Sequence, residues 1–207
     1  MTTAPSRRRG KIRALLSLGM LLGISQVGTL AAWTDSATVS GGGFSSGTLD
    51  VAVGDAAADQ LTGPGGSWTH ASLSLDGALP GESVARTVTV GNAGSVPLAL
   101  DASATIPDGA LASTDGSGLL LTVSVGGEPV NTGTAATGDR HGVCSGGVSV
   151  LVDAPLSSAE TSLGIDGVRL SPEEETSLCV SIGLSPAAPN SMQGASTTVA
   201  ISVEAKQ

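Results

Sequence analysis

The chain has 207 residues, with 18 acidic and 9 basic side chains, 30 glycines, two tryptophans, one phenylalanine and no tyrosine. Five basic residues fall between Arg7 and Arg13, so the chain beyond Arg13 is a polyanion whose positive charges are Arg86, Arg140, Arg169 and Lys206. Such a chain does not gather on phosphate backbones, which are bound through Lys and Arg, and nucleic acid is excluded as a partner.

The first expected element is an export signal over residues 1–31. Arg7, Arg8, Arg9, Lys11 and Arg13 form its basic start, and the uncharged, Leu-rich run from Ala14 to Gly28 forms its apolar centre. A spanning helix needs about 20 predominantly apolar residues, and here Ser17, Gly19, Gly23, Ser25, Gln26 and Gly28 dilute the run. Thr29 and Ala31 are the small residues of a cleavage site. Cleavage is expected after Ala31, with the bond after Ala32 as second choice. An uncleaved anchor is the alternative, and it is the one route to a membrane that the sequence offers. Residues 32–43, with the run Gly41-Gly42-Gly43, read as a flexible segment.

From residue 44 to 207 the chain reads as one domain, and its hydrophobic period is two. Leu98, Leu100, Ala102, Ala104 and Ile106 alternate with smaller or polar residues, as do Leu119, Leu121, Val123 and Val125. Leu178, Val180, Ile182 and Leu184 repeat the pattern, and so do Val199, Ile201 and Val203. This is the mark of strands with one face buried. Weaker segments at Phe44–Val53, Trp68–Leu75, Val84–Val90, Val148–Val152 and Val168–Leu170 bring the expectation to about nine strands. Turn signals such as Pro80-Gly81, Asn92-Ala93-Gly94 and Gly126-Gly127 separate them, and two longer stretches, Gly54–Gly66 and Thr132–Gly142, read as mobile loops. Strands without intervening helices predict an all-β, antiparallel β-sandwich, jelly-roll-like or immunoglobulin-like. With so few aromatic rings, its core has to come from Val, Leu, Ile and Ala.

Cys144 and Cys179 are the two cysteines. In an exported chain they predict one disulfide, closing a loop of about 36 residues worth about 4 kcal/mol in the chain-entropy model. A redox pair or half of a metal site would need a Cys-x-x-Cys or a fuller ligand set, and His141 alone does not supply one. His70 and His141 lie in separate polar stretches, with no zinc-binding helix, nucleophile elbow or phosphate loop. Glu173-Glu174-Glu175 reads as a solvated turn rather than an acid–base pair. Asp108-Gly109 and Asp115-Gly116 lack the spacing of a calcium loop. The expectation is a non-catalytic protein with no catalytic residues, no metal ligands and no cofactor.

Three blocks together resemble the TasA/camelysin family of exported Gram-positive proteins: "GTLAAWTDSATVSGGGFSSGTLDV" at 28–51, "LPGESVARTVTVGNAGSVPLAL" at 79–100 and "NSMQGASTTVAISVEAKQ" at 190–207. The family's junction pattern is matched by Phe44, Gly47, Thr48, Leu49 and Asp50, and its Pro-Gly-acid turn and Asn-x-Gly by Pro80, Gly81, Glu82, Asn92 and Gly94. The resemblance implies a SipW-dependent signal peptide cut by a SipW-type signal peptidase, and a secreted protein of the cell surface or biofilm matrix. It further implies self-association, or association with related matrix subunits, by donation of an N-terminal strand. Carried onto this sequence, that assembly strand would comprise Trp33, Thr34, Ser36, Thr38 and Val39. A monomeric surface-binding domain is the alternative reading. A camelysin-like metalloprotease is a further one, for which the sequence shows no zinc ligands.

Overall fold

The computed structural model describes residues 46–54 and 73–207, together with Lys11 and Leu16. The chain divides into two units, Met1–Phe44 and Ser45–Gln207. Of the first unit, Lys11 and Leu16 are described, both helical and exposed. The signal residues Thr29, Ala31 and Ala32, the segment Trp33, Thr34, Ser36, Thr38 and Val39, and also Phe44, Trp68 and His70, lie outside the described residues.

The second unit is built from eleven strands and one turn of 3-10 helix at Asn190–Met192. In chain order the strands are β1 (Val51–Gly54), β2 (Ser83–Asn92), β3 (Leu98–Thr105), β4 (Leu119–Val125), β5 (Glu128–Thr132), β6 (His141–Ser145), β7 (Val148–Pro155), β8 (Thr161–Ser162), β9 (Arg169–Leu170), β10 (Glu175–Leu184) and β11 (Ala200–Lys206). One sheet has the order β1-β2-β10-β4-β7, and a second has β11-β3-β8 with β9 also on β3; β5 and β6 form a separate hairpin. Every pairing is antiparallel. The fold is an all-β sandwich, as the alternation predicts.

The inward rows of the two large sheets make a single core. Val88, Val90, Leu121, Val123, Leu178, Val180 and Ile182 come from the first sheet, and Leu98, Leu100, Ala102 and Ala104 from the second. Loop residues Ile106, Leu156, Leu163 and Ile165 close its ends, all at most 1% exposed. No aromatic residue appears among these buried side chains. Burial at about 25 cal/mol per Å2 of apolar surface is therefore spread over many aliphatic groups.

Strand β10 departs from one-face burial. Leu178, Val180 and Ile182 face the core, but Cys179 and Ser181 on the opposite face are buried too, at 0% and 8% exposure. The β5–β6 hairpin lies across that face. Its existence corrects the expectation of a mobile loop over Thr132–Gly142, because Thr132 closes β5 and His141 and Gly142 open β6. The loop reading failed because β5 and β6 carry Pro129, Asn131, Gly142 and Cys144 on one face, which supplies no apolar period. Two further strand expectations are trimmed. Within Phe44–Val53, Val51 is the first strand residue among those described, and Leu73–Leu75 is not strand. The acidic turn forms no helical cap: Glu173 has φ 65°, and β10 starts at Glu175.

Candidate functional site

The motif residues that carry the family resemblance meet in space, and what they do there is structural. Thr48 O accepts from Ser95 N–H at 3.0 Å and Asp50 O from Ala93 N–H at 3.0 Å. A Cβ on Gly47 would lie 2.1 Å from Val96 Cγ1, and one on Gly94 would lie 2.4 Å from Thr48 O, so both positions exclude any side chain. Asn92, 2% exposed, ties the turn together. Its Oδ1 accepts from Gly94 N–H, and its Nδ2 donates to Val96 O and to Leu170 O. The segment 47–50 is thereby sewn onto the β2–β3 turn, and this fixes where β1 enters the sheet.

The Pro80-Gly81-Glu82 motif makes a tight turn with Gly81 at φ 91°, closed by Glu82 N–H to Leu79 O. It aims the Glu82 carboxylate inward, 3% exposed, at Arg140. Oε1 accepts from Arg140 N–H and Nε, both at 3.0 Å; Oε2 accepts from Arg140 Nη2 at 2.8 Å and from Leu79 N–H at 2.7 Å. These charge-assisted bonds, led by the guanidinium, outweigh the cost of burial and hold the Glu82 carboxyl down from 4.5 to about 2. The same contact raises the Arg140 guanidinium above its ordinary value.

This ion pair anchors the tip of the β5–β6 hairpin. Strand β1 covers β2 from Thr89 to Asn92. Further along the same edge the hairpin takes over, with Ser83 N–H donating to Arg140 O at 3.1 Å. The Asn131 amide then acts as a neighbouring strand would, accepting from Ala85 N–H at 2.9 Å and donating to Ala85 O at 2.8 Å. Gly142 sits directly on the sheet. Its N–H donates to Ser83 Oγ, and its carbonyl accepts from Ser83 Oγ and Ser181 Oγ. The Cys144–Cys179 disulfide, with Cα atoms 5.7 Å apart, binds β6 to β10. Between hairpin and sheet, Ser74, Leu75, Arg86, Asn131, Thr132 and Arg140 line a cleft of about 210 Å3.

The remaining edge of interest is β11, which pairs with β3 on one side and ends its sheet on the other. Leu100 N–H bonds Val168 O, and Ala102 O accepts from Leu163 N–H, so the even residues of β3 turn their polar groups away from β11. The odd residues therefore serve β11, opposite Ala200, Ser202, Glu204 and Lys206. By alternation, Ile201, Val203 and Ala205 turn their N–H and C=O groups to the open side. Neither a family model nor a curated protein matches this chain.

Of the residues singled out in the sequence, the structure brings Cys144 and Cys179 together as a disulfide, which belongs to an oxidising environment. His141 is exposed on β6. Among the described residues no group of three or more His, Cys, Asp or Glu is placed to hold a metal ion. Asp115 is held by Ser117, whose N–H and Oγ both donate to Oδ1, and these bonds lower its carboxyl below the usual range. Glu174 accepts from Ser171 N–H across its turn, with the same consequence. Sequence reasoning missed Glu82, Arg140 and Asn131 as partners. Glu82 carried a signal, an acid in a Pro-Gly turn, but its partner 58 residues away carried none.

Proposed function

We propose that this chain is an exported, non-catalytic structural protein of the cell surface or extracellular matrix, which self-associates by adding a strand from one copy to a sheet edge of another. The observation that carries the reading is β11: a regular seven-residue edge strand, free of Pro and bulges, whose outward backbone groups are aligned for pairing. The disulfide supports an oxidising destination, and the resemblance of residues 28–51, 79–100 and 190–207 to TasA/camelysin proteins supplies the donor, the segment Trp33–Val39. A SipW-type signal peptidase would free that segment by cutting after Ala31. The fold itself is self-sufficient from residue 46 onward in the sense that its core lies in β2–β11 and their loops, so the donor should be separable from folding. Deleting residues 32–43 from the processed chain should leave β-sheet circular dichroism and the thermal transition intact while abolishing particle growth. Equal growth by the truncated chain would overturn the proposal.

A further inference from the structure

The β5–β6 hairpin is built as a flap. It is bounded by Gly126-Gly127 on one side and Gly146-Gly147 on the other, with Gly126, Gly146 and Gly147 at φ 72°, 70° and 69°. The two diglycine pairs lie against each other: a Cβ on Gly147 would be 2.5 Å from Gly127 N, and one on Gly127 would be 3.1 Å from Gly146 O. Both connections thus pass through one line, and residues able to take up large φ and ψ changes sit on it.

What holds the flap down is polar and covalent. No residue from Glu128 to Ser145 belongs to the hydrophobic core. Its apolar cross-strand pair, Val130 and Val143, points away from the sheet at 43% and 38% exposure. On the inner face Asn131 bonds Ala85, Gly142 bonds Ser83 and Ser181, and Arg140 bonds Glu82. Without apolar burial, these bonds compete with water at every opening, and the remaining restraint is the Cys144–Cys179 bond, close in sequence to the Gly146-Gly147 hinge.

We infer that Cys144–Cys179 is a reducible latch on this flap. A dithiol reductant attacks at Cys144, the half-buried partner, while Cys179 at 0% exposure leaves as the thiol. The reductant's second thiol then displaces Cys144. Two electrons and two protons pass to the protein, giving two Cys thiols and an oxidised dithiol. The released flap swings on the diglycine hinge and uncovers the Ser83 N–H, both backbone groups of Ala85 and the cleft beside Arg86. The sandwich, whose core lies entirely elsewhere, stays folded.

The test is hydrogen exchange on the full chain before and after treatment with dithiothreitol, with alkylation and mass measurement to count thiols. Reduction should speed exchange of the amides in 128–132 and 141–145 by about tenfold or more, leaving β3, β4 and β10 protected. In the oxidised state, E82Q should loosen the flap tip but not match reduction. Three results would each overturn the latch: a bond that dithiothreitol does not reduce under native conditions, flap amides unchanged on reduction, or protection lost together across all strands.

Discussion

Leu121 has no exposed surface and sits mid-strand in β4, opposite Ile182 of β10. In a core of aliphatic groups no large neighbour can swing in to refill its volume, so L121A should cost about 3 kcal/mol, read as a lower urea midpoint. Glu82 gives a pH signature. Its folded pKa of about 2 lies below the ordinary 4.5, so the ionised form adds stability above about pH 4.5. That contribution is lost as pH falls towards 2. E82Q lacks it, so the stability gap between wild type and E82Q should be widest near neutrality and narrow between pH 4.5 and 2. A gap independent of pH would mean that the pair contributes through packing alone. At this scale the sequence was legible where a residue's role is local or periodic. Leu98, Leu121 and Leu178 announce their inward faces by alternation, whereas Arg140 looked like any loop cation because its partner is remote in the chain.

The hairpin shows what elements add. Asn131 satisfies two backbone groups of Ala85 that would otherwise face a gap in the sheet edge. N131A should cost about 2 kcal/mol by leaving both unpaired and should raise exchange at Ala85. Gly142→Ala tests the close approach differently, since its Cβ would lie 2.3 Å from Ala85 N and 2.5 Å from Val84 C. The flap should lift away from β2 without loss of the sandwich. The four strongest strands could be read from the sequence because each buries one face, and β10 was found although its second face is covered. The hairpin was not, because its inner face is held by hydrogen bonds and a disulfide rather than by apolar period, and hydrogen-bond geometry has no signature in composition. The disulfide could be read, since an exported chain with two cysteines has one pairing to choose.

Across the whole molecule, charge and edges act against each other. After removal of residues 1–31 the chain would carry 18 acidic and four basic residues, so copies repel at long range. An open β11 edge favours association only once that repulsion is screened. Assembly should therefore quicken as salt rises towards physiological strength, where the Debye length falls to about 8 Å, and slow in dilute buffer. The β2 edge is guarded by the hairpin and the β11 edge is not, which makes β11 the acceptor for a donated strand. Strand addition is decided by time-resolved light scattering on oxidised residues 32–207 at several protein concentrations and physiological salt. Growth to large particles at a rate that rises with concentration is the predicted result. A monomer that persists unchanged at every concentration would contradict it.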